Sequence, residues 1–194
     1  MDSTELVLDS VEAFNAVTNK CTAVGKLIYA VKSSGNCVPF RRSLYIFGGS
    51  DKDNREVSHV QVYNTKENTC SLISKPMPRP CLLMRAVLWE THAMLLGCDT
   101  SFIFNIEMET WKERNQFKAD VYHFGLILAN EKVFVVGGAV LGKGKDSNAR
   151  FVHRDDVRYV PLRNILDDNP IEWKIHGKLP NPSLIHVCSN MRFK

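Results

Sequence analysis

Six histidines, six cysteines and a scatter of basic residues are the groups in this 194-residue chain with chemistry to offer. A metal centre needs convergent ligands, which short spacings such as HxH, HExxH or CxxC announce in a sequence. His59, His92, His123, His153, His176 and His186 lie far apart. Cys21, Cys37, Cys70, Cys81, Cys98 and Cys188 contain no CxxC pair. The expectation is no metal and no cofactor. No Gly-x-Ser-x-Gly elbow presents a nucleophile, so no catalytic residue is assigned and the chain reads as a non-enzyme. The cysteines read as free, mostly buried thiols in a reducing compartment, which implies a cytoplasmic protein. Met1-Asp2-Ser3-Thr4-Glu5 is acidic and polar, unlike a secretory leader. No apolar stretch approaches the roughly 18 residues of a membrane span. The net charge of +4 is spread along the chain, which gives no reason to expect a nucleic-acid partner.

What the charged residues can do is recognise a protein or peptide. Lys143, Lys145, Arg150, His153 and Arg154 make a basic segment suited to an acidic peptide, or a solvated insertion. Arg79 and Arg85 could grip a carboxylate bidentately, or pair with neighbouring acids. Asp51, Lys52 and Arg55 crowd one short polar stretch, and Arg41 and Arg42 read as turn charges.

Such residues need a scaffold, and the chain supplies one by repetition. Ser43-Leu44-Tyr45-Ile46-Phe47-Gly48-Gly49 is echoed by His92-Ala93-Met94-Leu95-Leu96-Gly97-Cys98 and Lys132-Val133-Phe134-Val135-Val136-Gly137-Gly138. A period of roughly 40 to 50 residues marks an array of supersecondary units. Each run is too short for a helix and rich in β-formers, so it reads as a strand buried on both faces. Another apolar run precedes the second and third copies across a polar turn, at 82–88 and 122–128. A third strand follows at 60–64, 101–105 and 157–160. A fourth starts near Cys70, Trp111 or Trp173. Pro-rich joints at 76–80 and 179–182 belong between sheets. Four antiparallel strands, repeated, give an all-β propeller. Gly48, Gly49, Gly97, Gly137 and Gly138 then let the backbone turn where units crowd, because glycine tolerates positive φ. They are structural, since neither further glycines nor Lys-Ser/Thr follows to cradle a phosphate.

The apolar run with Gly-Gly, the aromatic before Asn at 63–64 and 104–105, and the downstream Trp resemble the kelch repeat, across roughly residues 11–190. Cys98 replaces a second glycine, and Cys21 and Cys70 stand where the tryptophan occurs. The divergent repeats look most like the C-terminal kelch region of BTB–kelch proteins, although the sequence contains no BTB domain. The resemblance divides the chain into the last two strands of a blade at 11–27 and a blade at 28–76. A blade at 77–117 follows, then one at 118–178 with a long loop at 139–156, then a further first strand within 179–194. It implies a partial kelch propeller of about three complete blades, whose open edges would favour association.

By the same resemblance, the second-to-third-strand loops and the blade-to-blade connections share one face and receive a protein or peptide partner. The function implied is the substrate-recognition part of a BTB–kelch adaptor for a cullin-RING ubiquitin ligase. The ligase would engage only through a BTB domain. An actin-associated kelch scaffold is the alternative. An oxidase-like propeller is a remote one, because the histidines occupy unrelated positions in different blades.

Overall fold

The computed structural model describes residues 7–32, 36–114, 116–143, 149–167 and 169–183. The chain opens with β1 (Ser10–Asn15) and β2 (Lys20–Lys26), followed by β3 (Cys37–Phe40), β4 (Ser43–Phe47), β5 (Val60–Asn64) and β6 (Thr69–Leu72). Next come β7 (Arg85–Trp89), β8 (His92–Leu96), β9 (Ser101–Asn105) and β10 (Thr110–Glu113). The last group is β11 (Gly125–Ala129), β12 (Lys132–Val136), β13 (Ala139–Lys143), β14 (Ala149–His153), β15 (Asp156–Pro161), the helix α1 (Leu162–Leu166) and β16 (Lys174–Lys178). Three four-stranded sheets form, in the orders β3-β4-β5-β6, β7-β8-β9-β10 and β11-β12-β15-β16, together with the pairs β1-β2 and β13-β14. The fold is all-β, a partial propeller of four-stranded antiparallel blades.

The Gly-ending runs are β4, β8 and β12, the second strand of each blade. β8 is the most deeply buried of them, with Ala93, Met94, Leu95 and Leu96 all without solvent exposure, whereas β4 is half-buried up to the fully buried Phe47. Two-residue turns join first to second strands. At Asn130-Glu131 both residues have positive φ (48° and 54°), the type I′ geometry that matches strand twist.

The Asn after the aromatic has a mechanical role. Asn15, Asn64 and Asn105 each end a strand, and their Oδ1 atoms accept the N–H groups two and three residues on, at 2.9–3.1 Å. The side chain thereby builds the turn to the next strand, which closes on a left-handed Asn19, Asn68 or Glu109. The third blade carries Pro161 at the corresponding place, and α1 stands in for the turn.

The repeated tryptophans clamp the joints. Trp111 Nε1 donates to the Lys75 carbonyl at 3.0 Å, and Trp173 Nε1 donates to the Lys118 carbonyl at 2.9 Å. The first blade has Cys70 in this position, whose thiol makes no such bond to a joint. There the preceding link is held by Gln61, almost fully buried, which accepts from Tyr29 N–H at 2.9 Å and donates to Tyr29 C=O at 3.0 Å. Gln61→Leu removes both bonds while leaving volume in place. It is expected to cost about 1–3 kcal/mol and to accelerate amide exchange at Tyr29 well before exchange in β4. Unchanged Tyr29 protection would show that the link is held by something else.

Contacts group the chain into two compact units, Met1–Met84 with Asn105–Trp111, and Arg85–Phe104 with Lys112–Lys194. The first has a core built around Val38, Phe47, Val60, Tyr63 and Met77. The second has a larger one including Met94, Leu96, Phe117, Phe124, Val135 and Ile165. Burying each such side chain contributes about 1.5–3 kcal/mol.

Four features differ from the sequence reading. β7 and β11 begin later than residues 82 and 122, because Leu83 (φ 55°) and His123 (φ 51°) break the extended run in the left-handed region. Segment 139–156 is not a loop throughout. Its described parts are the β13–β14 hairpin and the start of β15. The helix α1 was unexpected, since five residues carry no readable periodicity. Gly97 has no positive φ, unlike Gly48, Gly49, Gly137 and Gly138. Its N–H bonds Thr100 C=O at 2.8 Å, so the short Asp99-Thr100 turn needs no left-handed corner and tolerates Cys98. The first strand expected beyond Ser183 lies outside the described residues.

Candidate partner-binding loops

In the first unit, the loop after β4 is organised by Asp51. Its Oδ1 accepts the N–H groups of Asp53 (2.8 Å) and Arg55 (2.9 Å), while Asp51 N–H bonds Arg55 C=O at 2.9 Å. The Arg55 backbone hydrogen bond leads the effects that hold the Asp51 carboxyl below its ordinary value. This carboxylate is therefore engaged in building its own loop. Lys52 and Arg55 are exposed on that loop, and Arg55 Nη2 lies 3.3 Å from Asp53 Oδ2. Arg79 is exposed in the Pro-rich joint of the same unit.

In the second unit, Arg85 sits in β7 and not in a loop. Its Nε donates to Phe124 C=O at 3.2 Å, tying that strand to the segment leading into β11. Arg154 follows the β13–β14 hairpin, and its Nε bonds Asp156 Oδ1 at 2.8 Å. Arg158 Nε lies 2.8 Å from Asp156 Oδ2, near enough for charge attraction but outside hydrogen-bond geometry. Burial pushes the Asp156 carboxyl up, but the Arg154 hydrogen bond and the charges of Arg158 and Arg154 hold it below the usual carboxylate range. Arg158 Nη2 donates to Ala119 C=O at 2.9 Å, and its guanidinium lies 5.6 Å from the Trp173 ring centre. His153 is exposed. Lys145 lies outside the described residues, as do the side chains of Lys143 and Arg150.

Asp156 and Arg158 are the residues missed in sequence. The signal was present: Arg154, Asp156 and Arg158 alternate with period two, which places three opposite charges along one face of an extended chain.

The glycine corners anchor the connections that follow. Gly49 N–H bonds Cys81 C=O (3.0 Å), Ala119 N–H bonds Gly97 C=O (2.9 Å), and Gly138 N–H bonds Ser183 C=O (2.9 Å). Within each unit this fixes blade-to-blade segments onto a rigid scaffold, the arrangement on which recognition loops are carried. Burial pushes the Cys98 thiol up, and the Tyr122 phenol is pushed up by its hydrogen bond to that thiol, so both are neutral near pH 7. Among the described residues, no three His, Cys, Asp or Glu side chains gather as a metal site. Nor is any helix among them long and apolar enough to cross a membrane.

Residues 33–77 match the family model of the Kelch motif. Kelch-like protein 25 of Xenopus tropicalis is 30% identical over 142 residues, covering 70% of this chain and 24% of that protein. Kelch-like protein 35 of Mus musculus is 31% identical over 133 residues, covering 68% of this chain and 23% of that protein. Alpha-scruin of Limulus polyphemus is 25% identical over 163 residues, covering 78% of this chain and 17% of that protein. The chain thus spans a quarter or less of the length of these curated relatives. Blades of this kind carrying unequal loops define a repeat-built protein-interaction module. Its repeats are kelch repeats, and the chain is a kelch-repeat region resembling that of the kelch-like proteins.

Proposed function

We propose that this chain is the substrate-recognition region of a BTB–kelch adaptor for a cullin-RING ubiquitin ligase, acting in the cytoplasm without catalysis of its own. The observation that carries the reading is its similarity to kelch-like proteins over most of its length. The partner is a protein or peptide held by the loops after the second strands, with neither nucleic acid nor membrane involved. The ligase is recruited elsewhere, through a BTB domain.

The test uses the 194-residue chain and a Lys143→Glu/Arg150→Glu variant as baits in cell extract. The expected result is a protein retained by the wild type and lost by the variant, with cullin absent from both. That protein should be ubiquitylated when a BTB domain is fused to the wild-type bait. Direct capture of cullin by the unfused chain refutes the division of labour. Co-sedimentation with actin filaments, unaffected by the variant, favours a cytoskeletal scaffold instead.

A further inference from the structure

Among the described residues, the β13–β14 hairpin ends in a strand edge that no further strand pairs with, and the hydrogen-bonding groups of that edge can be assigned. Ala139 and Tyr122 exchange two backbone bonds, N–H to C=O, at 2.9 and 2.8 Å. A residue in an antiparallel sheet points its N–H and C=O to the same side. Ala139 therefore faces away from its register partner His153, and that pair is not hydrogen-bonded. Alternation then makes Val140↔Val152 a bonded pair and Leu141↔Phe151 a non-bonded one. On β14, Phe151 and His153 consequently direct their N–H and C=O groups outward, and among the described residues no further strand pairs with that edge.

Exposed edges of folded proteins are usually blunted by proline, a bulge or a covering segment. β14 contains no proline, and its register with β13 is unbroken. The apolar side chains around it are also open: Leu141 is 57% exposed, Phe151 45% and Val152 51%. Phe151 is held at the hairpin base by edge-on contacts with the rings of Tyr122 and His123, each at 6.0 Å between centres. Residues 139–153 carry Lys143, Lys145 and Arg150 against Asp146 alone, while Arg154, next in the chain, is paired with Asp156.

We propose that β14 receives an extended acidic segment of the partner protein as an added strand, paired to the outward backbone groups of Phe151 and His153. This rests on the partner-binding reading above and supplies its mode. Main-chain pairing gives affinity, while the net positive charge of the hairpin's sequence favours an acidic segment and the exposed Phe151 and Leu141 favour apolar side chains within it. An added strand spans these groups within about five residues.

The probe is a fluorescent peptide of about ten residues alternating Glu and Val, titrated into the full chain, with a Lys–Val peptide and a backbone N-methylated Glu–Val peptide as counterparts. The Glu–Val peptide should bind and slow amide exchange at Phe151 and His153, and the counterparts should not. His153→Pro removes one outward N–H without touching the bonded Val140↔Val152 pair, and it should weaken binding about tenfold. His153→Ala should bind as wild type, so the loss belongs to the backbone group. Equal binding by His153→Pro and His153→Ala, or tight binding of the N-methylated peptide, overturns strand addition. If the partner found by capture is retained by both variants, this inference fails while the adaptor reading stands. Concentration-dependent self-association that His153→Pro abolishes, with no peptide bound, would assign the edge to a second copy and also overturn the proposal.

Discussion

Asp156→Ala is expected to destabilise the second unit by about 3–5 kcal/mol, seen as a lowered urea midpoint. Asp156 is 6% exposed and sits between two guanidinium groups, that of Arg158 being itself largely buried. Removing the carboxylate leaves Arg158 with the Ala119 carbonyl, the Trp173 ring and the charge of Asp120 in a poorly solvated place. The loss measures the cost of an unpaired buried charge rather than the worth of the pair. Asp156→Leu combined with Arg158→Met should therefore recover much of it, because both desolvation costs vanish together. A double variant as unstable as Asp156→Ala would contradict this account.

The same carboxyl fixes a pH dependence. Its pKa is held down in the folded chain, so the unfolded chain binds its proton more readily at low pH. The contribution is complete above the unfolded value of about 3.9 and is lost as pH falls through the lower folded value. Stability of the wild type should decline below about pH 4, and Asp156→Asn should decline less over that interval.

Period and strand type were legible because β4, β8 and β12 are inner strands with few or no exposed residues, most deeply buried in β8, which favours an apolar run of fixed length at each repeat. The Asn after the aromatic was visible as a pattern, but its work as a turn builder needed the hydrogen bonds to the two following amides. Gln61 was not legible at all. A glutamine in a buried third strand looks like a flaw until Tyr29 is seen bonded to both ends of its amide. The same holds for the shape of the basic segment, whose charge suits either an acidic peptide or a solvated insertion. Local pairing of Val140 with Val152 and Leu141 with Phe151 makes its described part a hairpin, whose outer edge pairs with no further strand among the described residues. Arg85, whose place near a joint suits gripping a carboxylate or pairing with neighbouring acids, also ties β7 to the chain before β11 through its Nε, a backbone contact that the sequence does not reveal.

Gly138→Ala and Gly48→Ala should each cost about 2–5 kcal/mol, combining left-handed strain with overpacking. Gly138 has φ 100°, and an added Cβ would lie 2.7 Å from the Tyr122 carbonyl oxygen and 3.1 Å from Phe124 Cβ. Gly48 has φ 55°, with the Cys81 carbonyl oxygen at 2.6 Å. In both cases the first obstacle is backbone, which cannot rotate aside as a side chain would. Gly177→Ala is the matched control, because nothing lies within 4 Å of the new methyl group, and it should change stability by no more than about 0.5 kcal/mol. The two costly positions should also differ in consequence. Tyr122 is the residue that pairs with Ala139 at the root of the hairpin. Pushing its carbonyl away at Gly138 displaces the edge that β14 presents, whereas Gly48→Ala disturbs only the first unit's corner. Binding of the acidic probe should fall with Gly138→Ala, even at temperatures where the variant stays folded, and should survive Gly48→Ala. Equal retention by both would separate the hairpin from the glycine corner that is taken here to aim it.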